Sequence, residues 1–449
     1  MGRIKCLQLL LCVFCTTTLF TSCSNDNDSV APQKLTLEID FIQTLGGAKN
    51  ESAQAVTKTN DGGYAILGHT QSMDGDVTTK LNESYDYWLL KFNASDELEW
   101  QKTYGGSEDD RGADLIQTSD GGYAVIGKSK SSDGDVSENS GYEDFWITKL
   151  DASGSISWEY AYGFAGSDTP YSIIQTNDNG YLLTGVLDVS ASNGQGDRRS
   201  NTARRHAGGD YWVIKLNANG LKQWSNYYGG TFTDTAYDAI QTEDNGYMIV
   251  GASDSTDVDI SNNHGGYDFW VINISNTGEL IWEKSFGGNE TDEARAISKT
   301  SDGNYLVVGD TRSDEFDVSK NNGAADLWMI KITPEGTLLW EKTLGGTNFD
   351  VGRSVLKTQD DGFLISGSSR SNDGNLTSNR GQNDAWVLKI DSSGDIDWQQ
   401  TIGGSEIDFF YDAVELNNQT IVAVGESSSS DENILGNKGF TDLLILKLK

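Results

Sequence analysis

Tryptophan recurs through this sequence at an almost constant interval. All twelve tryptophans belong to two series that advance in steps of 58 residues, with one step of 66. The series are Trp88, Trp146, Trp212, Trp270, Trp328 and Trp386, and Trp100, Trp158, Trp224, Trp282, Trp340 and Trp398. They define six units, and residues 399–449 form a seventh with Leu443 or Leu444 near the first tryptophan position. Self-similarity at this period indicates a repeat architecture.

Each unit reads as four β-strands. In the second unit we predict strands at about 111–118, 122–130, 144–151 and 155–162. The first turn of six of the seven units carries Asp-Gly or Asn-Gly, which tolerate positive φ and favour tight hairpins. No apolar pattern with a 3.6-residue period persists, so we expect no helices.

Seven such units predict an all-β fold, a seven-bladed β-propeller of four-stranded antiparallel blades. Residues 35–47 match a fourth strand, whereas the chain stops after a third strand, "DLLILKLK". We therefore expect the N-terminal strand to complete the last blade. The predicted propeller occupies residues 34–449.

The repeated phrases also carry a family resemblance. The pattern "W-x-K-T-x-G-G-S-x-x-D", followed by "T-x-D-G-G-Y-x-x-x-G", resembles the bacterial β-propeller repeat family labelled SBBP. The resemblance covers nearly all of the chain after its leader and implies a propeller in an exported or cell-surface protein. It implies no particular activity, because function depends on sites carried by the fold.

The N-terminus reads as a targeting segment. Arg3 and Lys5 precede an apolar stretch, and "LFTSC" resembles a bacterial lipobox, which implies cleavage before Cys23 and lipid attachment to it. We predict a signal peptide at 1–22, a lipidated tether at 23–33 and a surface-exposed outer-membrane lipoprotein. The alternative is a membrane anchor at 6–20, which is short for a span of roughly 20 residues.

Composition limits the chemistry that this chain can perform. A net charge of -34 repels phosphate backbones, so we predict no nucleic-acid partner and membrane contact only through the lipid. The four cysteines lie at or before position 23 and there are three histidines, which leaves little for Cys-His or multi-histidine metal chemistry. We expect a monomer without an obligatory cofactor.

An acidic column follows each Gly-Gly position by four residues. Its members are Glu51, Asp110, Asp168, Asp234, Asp292, Asp350 and Asp408. If they ring the channel mouth they are candidate calcium ligands, since hard cations take several oxygen ligands. Alternatively each acid caps its own turn through backbone N–H groups. Alternating acids in the loop after the second strand, such as Asp133 and Asp135, pose the same choice between calcium and loop bracing.

A variable column stands three residues after the acids. Its members are Gln54, Ala113, Tyr171, Tyr237, Arg295, Arg353 and Tyr411. Facing a channel mouth, its aromatic rings and guanidinium groups would stack on sugars or peptide side chains and bind carboxylates. Alternatively these side chains pack between blades.

The eight extra residues of the third unit fall in a loop with a basic cluster. It contains Arg198, Arg199, Arg204, Arg205 and His206. This loop is a candidate clamp for an anionic glycan or acidic protein surface, or else a solvated insertion.

We predict a non-catalytic binding or scaffold protein for a glycan or protein partner. The alternative is a carbohydrate-active enzyme, a sialidase-like hydrolase or a lyase, because Thr118, Asp120, Gly122 and Tyr123 resemble the Asp-box of sialidase-type propellers. That resemblance implies an arginine clamp, a tyrosine nucleophile and an acid, of which only Arg295, Arg353 and several tyrosines can be assigned. A purely structural envelope component is the third hypothesis.

Overall fold

The computed structural model describes residues 37–196 and 206–449. Within these ranges the chain forms 28 strands and the short helix α1 (Val189–Ser192). Blades 1 to 3 consist of β2 (Glu51–Lys58), β3 (Tyr64–Thr70), β4 (Asp86–Phe92), β5 (Leu98–Tyr104); β6 (Asp110–Gln117), β7 (Tyr123–Ser129), β8 (Asp144–Leu150), β9 (Ile156–Tyr162); and β10 (Thr169–Gln175), β11 (Tyr181–Asp188), β12 (Gly209–Leu216), β13 (Lys222–Tyr228).

The remaining blades repeat this order. Blades 4 to 6 consist of β14 (Asp234–Gln241), β15 (Tyr247–Ser253), β16 (Asp268–Ile274), β17 (Leu280–Phe286); β18 (Asp292–Lys299), β19 (Tyr305–Thr311), β20 (Asp326–Ile332), β21 (Leu338–Leu344); and β22 (Asp350–Lys357), β23 (Phe363–Ser369), β24 (Asp384–Ile390), β25 (Ile396–Ile402). Blade 7 combines β26 (Asp408–Glu415), β27 (Ile421–Ser427) and β28 (Asp442–Leu448) with β1 (Ile39–Leu45).

The seven sheets form a closed ring. The first strand of each blade contacts the first strands of both neighbouring blades, and β26 contacts β2. In blade 7 the strand order is β1-β28-β27-β26, with Ile42 opposite Leu446 in an antiparallel ladder. The predicted fold and the closure of the last blade by the N-terminal strand are therefore confirmed.

The first tryptophan series fills the spaces between blades. These six side chains are at most 1% exposed. The Tyr87 and Trp146 rings of adjacent blades lie 4.7 Å apart, and Tyr87 donates a hydrogen bond to the Trp146 carbonyl oxygen. In blade 7, Leu444 pairs with Gly425 as Trp88 pairs with Gly68, so Leu444 is the equivalent residue.

The phrase "TSDGGY" is explained by a turn between the first two strands. Asp120 accepts hydrogen bonds from the Thr118 hydroxyl (2.5 Å) and the Gly122 N–H (3.0 Å). Lys149, from the third strand, pairs with the same carboxylate at 2.9 Å. The turn lies at the opposite end of the first strand from the acidic column. Because Asp120 is used for contacts within the blade, the Asp-box-like motif is a structural turn here.

The insertion in blade 3 departs from the sequence prediction, because it contains helix α1. Asp188 caps the helix by accepting a hydrogen bond from the Ala191 N–H at 2.9 Å. The inserted residues have no strand partner to fix them in a ladder, which leaves them free to form this turn. The prediction that the chain contains no helix is wrong at this point.

Candidate functional site

One end of the channel opens into a cavity of about 340 Å³, which we call the channel cavity. All seven blades contribute to it. Its lining consists of the complete variable column, Gln54, Ala113, Tyr171, Tyr237, Arg295, Arg353 and Tyr411, together with His69, Arg111, Gly112, Lys128, Thr169 and Pro170. The structure therefore brings the variable column together at one place, as a binding site requires.

A β-bulge positions each member of the variable column. In blade 1, Ala53 pairs with Gly68 and Ala55 with Leu67, which leaves Gln54 unpaired between them. The same register shift occurs at the corresponding residue of every other blade. A bulge changes the direction of a side chain and often lies beside a binding site. The repeated frame thus turns one residue per blade into the channel.

Sequence reasoning missed the bulge, although it leaves a signal. Buried side chains of a regular strand recur every two residues. In blade 4, the buried Ala236 and Ala239 are three residues apart, with half-buried residues at 237 and 238. This change of phase would have located the bulge between them.

Tyrosines from blades 3 and 4 form one wall of the channel cavity. The rings of Tyr171 and Tyr237 lie 4.9 Å apart at 59°, and the Arg295 guanidinium stacks 4.2 Å from the Tyr237 ring centroid. Desolvation raises the pKa of Tyr171 to about 12, so its hydroxyl is neutral at physiological pH. This wall offers flat apolar faces with polar hydroxyls at their edges.

Two neighbouring guanidinium groups form the next wall, and they differ in their partners. Arg295 forms an ion pair with Glu293. Arg353 lies 5.1 Å from the Tyr411 ring and 5.4 Å from the Phe409 ring, and forms no ion pair within the described residues. The Nε atoms of both arginines are buried without a hydrogen-bond partner there. Arg353 is therefore a donor group available to an anionic ligand.

Blade 2 supplies cations on the other side of the cavity. In a ring of seven, blade 2 faces the boundary between blades 5 and 6. Arg111 stacks 3.9 Å from Tyr85 and lies 3.6 Å from Asp109, and Lys128 pairs with Glu143 at 3.0 Å. The cavity lining thus includes four cationic side chains and no carboxylate in a chain of net charge -34.

His69 contributes a neutral ring to the same cavity. Desolvation, with Arg111 as the next cause, lowers the pKa of His69 to about 3. Its Nδ1 atom is buried without a hydrogen-bond partner within the described residues. The imidazole therefore adds no charge to the cavity at neutral pH.

Carboxylates lie close to the two arginines of the cavity. Glu293 and Asp310 are directly opposite in the ladder of β18 and β19. Desolvation raises the pKa of Asp310 to about 6, although Arg295, Arg353 and Arg312 oppose this shift. In blade 7, the Tyr411 hydroxyl donates to Glu426 at 3.0 Å.

Three aspartates of the inner strands also link neighbouring blades. Asp114, Asp238 and Asp412 follow the bulge residues, and each accepts a hydrogen bond from a backbone N–H of the next blade at 2.8 to 3.0 Å. Desolvation raises their pKa values to about 7, 6 and 6, respectively. These acids link adjacent inner strands.

The acidic column does not line the channel cavity. Each of its seven carboxylates accepts a hydrogen bond from the N–H four residues earlier, at 2.7 to 2.9 Å. Asp110 also accepts hydrogen bonds from the Ser131 hydroxyl at 2.8 Å and from Ser129. This geometry is that of a turn cap.

Calcium at the acidic column stays a prediction. Within the described residues, no group of three or more His, Cys, Asp or Glu side chains is arranged to hold a metal. In the loops, Asp133 accepts from the Ser107 N–H (2.7 Å) and Asp135 from the Gly105 N–H (3.2 Å). These contacts fit the loop-bracing alternative.

The predicted basic clamp is mostly outside the described residues. Arg198, Arg199, Arg204 and Arg205 all fall in the undescribed segment. His206 lies next to it, with its Nδ1 2.5 Å from Asp210 and its ring 4.9 Å from the Tyr227 ring. Cys23 and the tether also lie outside the described ranges.

No family model matches this chain. Over 442 residues it is 22% identical to Regulatory protein FlaEY of Caulobacter vibrioides, an alignment that covers 89% of this chain and 44% of that protein. The chain therefore spans less than half the length of this relative. The resemblance to the SBBP repeat stays a prediction.

The chain is similar to solved structures at low sequence identity. BBS1N in complex with ARL6DN is 10% identical, with 91% of this chain and 96% of that chain covered and a TM-score of 0.48. The propeller domain of the Trilobed protease from Pyrococcus furiosus is 9% identical, with 90% and 95% covered and a TM-score of 0.44.

Helices of membrane-spanning length and hydropathy do not occur in the described part of the chain.

Proposed function

We propose that this protein is a binding propeller that captures a glycan or protein partner in the channel cavity. The main support for the proposal is the convergence of seven bulge residues, one per blade, on a cavity in which the Arg353 guanidinium has no ion-pair partner among the described residues. Variation confined to such a column is how a repeated frame acquires a specific site.

The composition of the cavity supports binding of an anionic ligand. Tyr171 and Tyr237 offer stacking faces, while Arg353 offers a planar fork that matches a carboxylate, phosphate or sulfate group. The Nε atoms of Arg295 and Arg353 are buried without a hydrogen-bond partner among the described residues, so neither guanidinium group has all its donors satisfied there.

The test is capture of a panel of neutral glycans, acidic glycans and peptides by the immobilised protein. Arg353→Ala and Arg295→Ala should each weaken the captured interaction by about tenfold or more, the usual value of a charge-assisted hydrogen bond. Lys284→Ala is the matched control, since Lys284 is an exposed cation on the outer strand β17. Capture that is insensitive to both arginine changes would favour the structural-component hypothesis.

A carbohydrate-active enzyme is the second candidate. It is favoured by the Tyr411 hydroxyl, which donates to Glu426 within reach of Arg353. A hydroxyl paired with a base is the arrangement of an activated nucleophile. Desolvation raises the pKa of Tyr411, which opposes activation and ranks this candidate second. Turnover of a labelled polysaccharide that Tyr411→Phe abolishes without loss of binding would reverse the order.

We also propose that the protein is a lipoprotein held at the outer membrane through Cys23. The support is the sequence alone: a basic, apolar leader followed by "TSC". Metabolic labelling with a fatty-acid analogue should mark the protein, and Cys23→Ala should abolish the label. A label that persists in this variant would contradict the assignment.

A further inference from the structure

We propose that the ligand of the channel cavity is an acidic polysaccharide that occupies two adjoining subsites, one in the cavity and one on its rim at Arg312, Phe349 and Arg370. This inference rests on the proposed binding function and names its ligand class. The acidic groups are carboxylates or sulfates carried on sugar rings.

The rim subsite is an aromatic ring between two cations. The guanidinium carbons of Arg312 and Arg370 lie 5.9 and 5.8 Å from the Phe349 ring centroid. Phe349 is 37% exposed, and both arginines are exposed. Asn383, itself buried, accepts a hydrogen bond from Arg370 Nε at 2.6 Å and so holds this guanidinium in place.

The two subsites belong to one electrostatic feature. Five of the six arginines within the described ranges lie in blades 5 and 6. Three of them, Arg312, Arg353 and Arg370, form no ion pair with any described residue. Phe349 directly precedes β22, the strand that carries Arg353, and the Arg370 N–H donates a hydrogen bond to the Phe349 carbonyl oxygen at 2.9 Å. Arg353 and the two rim arginines therefore form a cationic track around the start of β22.

Sugar rings with acidic groups fit this track better than an acidic peptide does. Each subsite pairs a guanidinium with an aromatic face: Arg353 with Tyr411, and Arg312 and Arg370 with Phe349. A uronic acid or sulfated sugar presents an anion and a flat C–H face on a single unit. Aspartate and glutamate side chains present the anion without such a face, so aromatic stacking favours the glycan.

The experiment measures the affinity of the purified protein for oligogalacturonates of increasing length, a sulfated glycan, neutral dextran and poly-glutamate. Affinity should rise from one to three uronic acid units, because the longer ligand fills the rim subsite as well. The Arg312→Ala/Arg370→Ala double variant should lose about tenfold in affinity for the trimer and little for the monomer. Arg353→Ala should weaken binding of both, and Arg353→Lys should restore only part of the loss.

The outcomes separate this inference from the proposed function. Binding of uronates or of the sulfated glycan supports the inference and identifies the anionic group. Equal binding of poly-glutamate, or trimer affinity unchanged in the double variant, overturns the inference. Binding of neutral dextran that depends on Arg353 also overturns it but leaves the proposed function intact. If no panel member binds, the inference fails, and the wider panel of glycans and peptides then decides the proposed function.

Discussion

Two columns on the same inner strands, three residues apart, follow opposite rules. The acidic column contains six aspartates and one glutamate, all at most 1% exposed and all capping the same turn. The variable column contains four residue types at seven bulges, all facing the channel cavity. Uniformity therefore marks positions whose hydrogen bonds hold each blade, and variation marks positions that are free to contact a ligand.

The largest test of this contrast replaces one member of each column on β22. Asp350→Ala would leave the Gly346 N–H and the Ser369 and Ser371 hydroxyls without their acceptor. We expect the free energy of unfolding to fall by about 3 kcal/mol, since buried unsatisfied donors cost about 1–3 kcal/mol each. Urea denaturation measures this change.

Arg353→Ala is the matched substitution three residues along. It removes no ion pair and no ladder hydrogen bond, so we expect the free energy of unfolding to change by less than about 0.5 kcal/mol. Ligand affinity should show the opposite pattern, because it should fall in Arg353→Ala and not in Asp350→Ala. A stability loss as large as that of Asp350→Ala would remove the distinction between the two columns.

The second test uses pH, because many buried acidic side chains lie close to an acidic side chain of the neighbouring blade. Each member of the acidic column lies near the aspartate that begins a third strand, as Asp234 does with Asp210. Desolvation, reinforced by the neighbouring acid, raises the pKa of Asp168 to about 7 and of Asp268 to about 7; for Asp234, it is about 8. The folded state therefore holds protons that the unfolded chain releases near pH 4.

The sign of the pH effect follows from this difference. A raised folded-state pKa gives stability that is present below the unfolded value and lost as pH rises through the folded value. We expect the free energy of unfolding to fall by more than about 2 kcal/mol between pH 5 and pH 8, because each such group contributes about 1.4 kcal/mol per pH unit between its unfolded and folded pKa values. Denaturation at both pH values measures it, and Asp234→Asn should flatten the profile. Constant stability across this range would contradict the burial of these acids.

Much of the frame could be predicted from sequence, because it is repeated seven times. The tryptophan spacing and the Gly-containing hairpins located the blades, and the fourth-strand pattern at 35–47 located β1 (Ile39–Leu45). The site was predicted less completely. The variable column was recognised, but the bulge that directs it and the lining residues His69, Arg111 and Lys128 were not. These residues come from other columns, and only the folded ring shows that they share a cavity.

The ion pairs that decide which arginine is available were also beyond sequence reasoning. Arg295 and Arg353 occupy equivalent positions, yet Glu293 neutralises the first, while Val351 occupies the corresponding position in blade 6. A sequence spacing of two residues does not by itself predict an ion pair. In a regular strand such residues share a face but lie well apart, and only the bulge changes this geometry.

The prediction with the smallest expected effect concerns an ion pair that blade 4 lacks. In blade 2, Lys149 pairs with the turn aspartate Asp120, whereas Asn273 stands at the lysine position of blade 4, beside the turn formed by Asp244. The Asn273 Oδ1 atom is buried without a hydrogen-bond partner within the described residues. Asn273→Lys should add the missing pair and raise the free energy of unfolding by about 0.5–1 kcal/mol, the range of a partly exposed ion pair. The reverse change, Lys149→Asn, should lower stability by a similar amount, because it recreates the blade 4 arrangement in blade 2. If neither substitution altered the urea midpoint, the lysine at this position of the third strand would be a consequence of repeat duplication and would not stabilise the blade.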